Sequence, residues 1–234
     1  MIDSGSTRKY LLYAIGEIAL VVFGILIALQ INNWNEEKKT RQIEYVTLSE
    51  LKKNVKANIT EIDLISKDVN QRIVSINVLL TSLAENIPYH DSLTYHFGWA
   101  MVYDRMSMHL GAYESFKASG SQVVKDEILR FEISNYFDHS LGQLENYMIE
   151  VRDDFYNYML GYLRQEFIIY KAAEHIGVPK DYDALKQNES FILSLGIFLD
   201  VQNDAFNSLI KTRKKSNDVL EKINLRISKI GLTD

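Results

Sequence analysis

The sequence predicts an all-α protein: one N-terminal transmembrane helix followed by an antiparallel bundle of four to five long helices. Three observations carry that prediction. An apolar run extends from Tyr10 to Ile31 with Glu17 as its only charge. Beyond it, apolar residues recur at helical spacing almost to the end of the chain. Only two prolines, Pro88 and Pro179, punctuate the 234 residues, and strand signals are almost absent.

The domain plan follows from that order: a short cytoplasmic tail over 1–9, a transmembrane helix over 10–31 and a soluble helical-bundle domain over 32–234. At about 1.5 Å per residue the apolar run spans roughly 33 Å, enough for a hydrocarbon core of about 30 Å. Tyr10 and Tyr13 at one end and Trp34 at the other are the expected interfacial anchors, Trp34 lying among Asn32, Asn33 and Asn35. A cleaved signal peptide is the competing reading, with Arg8 and Lys9 as its basic start. The apolar run is longer than such segments, and Ala28-Leu29-Gln30 is a poor cleavage site. Arg8 and Lys9 before the run nearly balance Lys38, Lys39 and Arg41 after it. A short tail is easily retained and an acidic domain can translocate, so the N-terminus is placed in the cytoplasm and the domain in the periplasm.

Within the run, Glu17, Gly24 and Ala28 fall within about 20° of one line at 100° per residue. Gly24 and Ala28 also form a small-xxx-small pair, which lets another backbone approach closely. A carboxyl inside a membrane span costs about 2.5–3.5 kcal/mol on insertion scales, so it tends to face a partner helix or a wet cavity. The plainer alternative is a protonated Glu17 tilted toward the interface.

No glycine or proline occurs from Ile25 to Ile87, so helix can leave the membrane without a forced break. Leu51, Val55, Ile59, Ile62, Ile65, Val69, Ile73, Ile76, Leu80, Leu83 and Ile87 average 3.6 residues per step, the period of a straight helix rather than a coiled coil. After the Pro88 loop, helices are expected over Leu93–Met108 and Gly111–Ser119, the latter closed by Gly120. A third long helix covers about Lys125–Ala173, with Ile128, Ile133, Tyr136, Phe137, Leu144, Tyr147, Val151, Phe155, Tyr158, Tyr162 and Phe167 facing inward. Gly177 and Pro179 stop it, 181–190 is a loop or short helical turn, and a last helix runs from Ser190 to Ile230.

Composition and motifs exclude much chemistry. The net charge is −5 and cysteine is absent, so neither a broad basic nucleic-acid surface nor thiolate, disulfide or cysteine–metal chemistry is expected. Five histidines occur, none with an acidic residue three positions before it and none in His-Glu-x-x-His. His90, Asp91 and His96 are the nearest approach to a metal set. Phosphate-cradling glycine loops and a nucleophile elbow are missing. No catalytic, cofactor or metal residue is therefore assigned. Lys211, Arg213, Lys214 and Lys215 form one tight basic cluster, expected as a solvated helix face.

The stretch Lys9-Tyr10-Leu11-Leu12-Tyr13-Ala14-Ile15-Gly16-Glu17-Ile18, continuing from Gly24 through Gln30-Ile31-Asn32-Asn33-Trp34-Asn35-Glu36, resembles a family of small single-pass membrane proteins of unknown function in Bacteroidota. Ala112-Tyr113-Glu114-Ser115-Phe116-Lys117-Ala118-Ser119-Gly120 is similar to a later segment of that family. The resemblance is close over 9–36 and loose beyond. It implies a bacterial inner-membrane location and transfers no activity.

The expected function is accordingly non-enzymatic. A membrane-anchored bundle would associate through Glu17, Gly24 and Ala28, with lipid as one partner and a second copy or another membrane protein as the other. The alternative is a periplasmic ligand-sensing bundle, similar to chemoreceptor input domains, working with a separate transducer.

Overall fold

A computed structural model describes residues 4–231, with side chains from Leu12 onward. Residues 1–3 of the expected tail lie outside the described residues. Helix α1 runs unbroken from Ser4 to Ala84, so the apolar run and the first helix of the domain are one rod. It ends in a Schellman arrangement. Asn86 takes φ 52°, the Ile87 N–H bonds to the Ser82 carbonyl at 2.9 Å, and the Asn86 N–H points to Leu83.

The chain then returns alongside α1 as a second, composite rod. Helix α2 (Ser92–Ala100) is followed by a non-helical stretch over 101–110, helix α3 (Gly111–Ala118) and a 3-10 turn (Ser121–Val123). The contacts of this strip with α1 descend in order. Asp104 meets Arg72, Ser107 meets Glu61, His109 meets Asn58, Ala112 meets Asn54 and Lys125 meets Glu44. The third rod, α4, covers 127–166 and contains two wide π turns, Asn135–Ser140 and Phe155–Met159. A β-hairpin follows, β1 (Phe167–Lys171) paired antiparallel with β2 (Ile176–Pro179). A short helix α5 (Tyr182–Lys186) leads into α6 (Glu189–Gly231), the fourth rod. Contacts of Glu44 with Arg226, Asp63 with Arg213 and Arg72 with Gln202 make α1 and α6 antiparallel.

Several expectations need correction. The helix expected to Met108 stops at Ala100, because α1 supplies the backbone groups beyond it with remote partners. The Ser107 N–H donates to Glu61, and Asn58 both accepts from the His109 N–H at 2.7 Å and donates to its carbonyl. The third helix ends at Glu166, not Ala173, since Phe167-Ile168-Ile169-Tyr170 pairs as a strand. That hairpin sits hard against α2. A Cβ on Gly98 would lie 2.0 Å from the His175 carbonyl carbon, and one on Gly177 would lie 2.9 Å from Phe97 Cβ. Ile128 points outward at 73% exposure and Tyr158 at 59%, so neither belongs to the inner stripe. From Val151 the buried positions step by four through Phe155, Met159, Leu163 and Phe167, a drift that the second π turn accommodates.

The largest correction concerns α1. Its buried positions are Glu44, Leu48, Leu51, Val55, Asn58, Ile62, Ile65, Val69, Arg72, Ile76, Leu79 and Leu83, joined by Ser75 and Ser82. The first twelve step alternately by four and three, which is a heptad repeat and not the 3.6-residue stripe. On α6, Phe191, Leu195, Phe198, Gln202, Ala205, Leu209, Thr212, Ser216, Val219 and Ile223 are buried in the same rhythm. The core is divided in two. One apolar cluster, nearer the apolar run, gathers Leu48, Val55, Tyr113, Phe137 and Val219; the other gathers Ile62, Phe97, Phe155, Phe191 and Phe198. Polar Asn58, Thr212 and Ser216 are buried on the α1–α6 seam between them.

Candidate membrane and association surface

From Leu12 to Ile31, α1 is exposed at every position but Ala19, which is half-buried. Thirteen large apolar side chains there stand open, Phe23 at 64% and Leu20 at 75%. Burying a large apolar side chain yields about 1.5–3 kcal/mol, so the segment gains on the order of tens of kcal/mol from a non-aqueous surround. This helix is long and apolar enough to cross a membrane.

Glu17, Gly24 and Ala28 are all exposed on this free stretch. A Cβ on Gly16 or Gly24 would meet nothing within 4 Å, so a partner backbone has room to approach. Leu12, Tyr13, Gly16, Glu17 and Leu20 line a shallow groove of about 530 Å³. Tyr13 is 80% exposed and Trp34 is 57% exposed, with the Lys38 ammonium 5.8 Å from the Trp34 ring centroid. Trp34 lies twenty-one positions after Tyr13, roughly 32 Å along a helix. The Tyr10 side chain lies outside the described ones.

Past Trp34, nine residues from Glu36 to Glu44 carry α1 to its first buried layer. There Glu44, 1% exposed, accepts Arg226 Nε at 2.9 Å and Nη2 at 2.8 Å, and also the Lys125 backbone N–H at 3.0 Å. The guanidinium's own pKa is raised by that carboxylate. Below this layer α6 ends against α1, leaving a cleft of about 890 Å³ between Lys38, Lys39, Gln42 and Ile230. Lys39 pairs with Glu36 at 3.0 Å and Arg41 with Glu37 at 3.7 Å, so these cations are already partly matched.

Buried polar residues were invisible to an apolar-stripe reading. Glu44, Asn58 and Arg72 recur every fourteen residues on one heptad position of α1. Arg72 has no exposed surface; its Nη1 donates to Gln202 Oε1 and its Nη2 to Asp104 Oδ2, each at 3.0 Å. The fourteen-residue recurrence was the available signal.

Among the described residues, no three His, Asp or Glu side chains gather as a metal site. His90 bonds to Ser92 and His96 to Ser75, so the residues expected nearest to a metal set are not brought together. The basic cluster is not one solvated face: Arg213 pairs with Asp63 at 2.7 Å and Lys215 with Glu132. A family model described as "Family of unknown function (DUF6090)" matches residues 17–153, from Glu17 to Asp153, just short of the second π turn of α4. No curated protein and no solved structure matches the chain.

Proposed function

Because the chain belongs to the DUF6090 family of unknown function, which brings no activity with it, we propose from geometry that it is a non-enzymatic, single-pass membrane protein acting through association. The free half of α1 sits in lipid and meets a second copy, or another membrane protein, along Glu17, Gly24 and Ala28. The four rods form an antiparallel bundle carried on that anchor. In this reading the membrane is a bacterial inner membrane, with the N-terminus cytoplasmic and the bundle periplasmic.

One observation supports it above the others: a single rod is packed on a heptad seam from Glu44 to Leu83 and uncovered from Leu12 to Ile31. The uncovered part needs a surround the rest of the molecule does not supply. The test is disulfide-free chemical crosslinking of the full-length protein in native membranes. Wild type gives a discrete oligomer, and Gly24→Ile lowers its yield about tenfold by blocking close approach. A wild-type protein that stays monomeric, or an oligomer indifferent to Gly24→Ile, overturns the association reading.

A second reading, a periplasmic ligand sensor working with a separate transducer, is favoured by Arg72. This buried cation links the descending strip to α6 and lies on the same uninterrupted helix as the anchor. A displacement at Arg72 would be carried along α1 toward the membrane.

A further inference from the structure

A cleft of about 430 Å³ opens where two departures from regular helix meet. One wall is the non-helical stretch after α2, with Tyr103, Asp104, Arg105 and Met106; the other is α4, with Glu145 and Met148 and, in the second π turn, Tyr156. The Tyr103 and Tyr156 hydroxyls are 2.9 Å apart and their ring centroids 5.4 Å apart. The exposed Arg105 guanidinium lies against both hydroxyls, which raise its pKa.

The charges here are unequally committed. Asp104 is taken by Arg72, and Arg152 donates through Nε and Nη2 to Asp153 at 3.0 and 2.8 Å. Among the described residues Arg105 has only the tyrosine hydroxyls as partners, and Glu145 has no hydrogen bond or ion pair. One uncommitted cation and one uncommitted anion thus face a single cleft whose apolar lining includes Met106 and the buried Met148. A dianion such as phosphate would be repelled by Glu145, and a simple cation by Arg105.

We propose that this cleft binds a small zwitterion of the α-amino-acid type. Its carboxylate is held by Arg105 and the Tyr156 hydroxyl, its ammonium by Glu145, and its apolar part against Met106 and Met148. Charge-assisted bonds at both ends set orientation, and the volume suits a free amino acid rather than a folded partner. The inference stands on the cleft itself and holds whether or not the anchor associates.

The test is thermal unfolding of the full-length protein in detergent with each of the common amino acids, and separately with succinate and inorganic phosphate. At a hundred times Kd, a recognised amino acid raises Tm by roughly 5–10 °C for a chain of this size. Succinate and phosphate give no rise. Arg105→Gln abolishes the effect and Glu145→Gln weakens binding at least tenfold, while neither exposed substitution changes the ligand-free Tm by more than about 1 °C. The proposal fails if no amino acid raises Tm, if the rise survives Arg105→Gln, or if succinate or phosphate matches it.

Discussion

The Glu44 carboxylate and the Arg226 guanidinium, 182 positions apart in sequence, meet through two parallel N–H···O bonds of 2.9 and 2.8 Å. This pair closes the foot of the α1–α6 seam, where the packed part of α1 gives way to the uncovered part. Arg226 is 26% exposed by side chain and Glu44 only 1%, so the carboxylate depends on its partner more than the reverse. Arg226→Met is therefore expected to destabilise the domain by about 3 kcal/mol, since it strands a buried charge. The double variant Glu44→Leu/Arg226→Met should recover most of the loss. Chemical unfolding of the three variants measures both numbers.

Arg72 makes the companion case deeper in the seam. Two different guanidinium nitrogens serve Gln202 and Asp104, an arrangement a single ammonium cannot copy. Arg72→Lys is expected to destabilise by about 2 kcal/mol or more even though charge is kept. Equal stability of Arg72→Lys and wild type in urea would contradict this account.

Gly98 allows the hairpin to lie on α2. The Cβ of Gly98→Ala would overlap the His175 backbone at 2.0 Å, and no flexible side chain is there to yield. The Trp99 and His175 rings, stacked with centroids 3.6 Å apart, should separate as the hairpin lifts. Hydrogen exchange is expected to speed up across 167–179 and remain slow in the paired parts of α1 and α6, with a loss of about 3 kcal/mol or undocking outright.

Glu132 supplies a pH signature. Bonds from Lys215 and then Lys222 hold its carboxyl below its ordinary pKa of 4.5. A lowered native pKa means the unfolded state binds the proton first, so the contribution is complete above about pH 4.5 and disappears as pH falls through the native value. Glu132→Gln should be less stable than wild type at pH 7, and the gap should close in acid. Unfolding midpoints from pH 7 to pH 3 check the sign.

Removing residues 1–35 should leave the domain folded, because the buried positions of α1 start at Glu44. The shortened protein is expected to remain in the supernatant after ultracentrifugation and to unfold within about 3 °C of the full chain in detergent. Loss of cooperative unfolding would show that the apolar half of α1 supports the rest.

The helical class, the uncovered apolar rod and the stop near Gly120 could be read from the chain, because each rests on local terms: hydropathy, backbone propensity and missing breakers. The heptad seam is lost to an apolar-stripe reading, since three of its positions are Glu44, Asn58 and Arg72, which such a stripe passes over in favour of neighbours such as Ile59 and Ile73; only their fourteen-residue spacing marks it. A buried polar side chain is tolerable only when a partner meets it, and those partners come from other rods. The non-helical stretch over 101–110 has the same cause, its backbone bonded by Glu61 and Asn58 rather than by its own next turn. Local sequence sets which segments favour helix and which face is oily. Where helix stops, which charges stay buried and which cleft forms depend on groups up to 182 positions away, and those meet only once the rods are side by side.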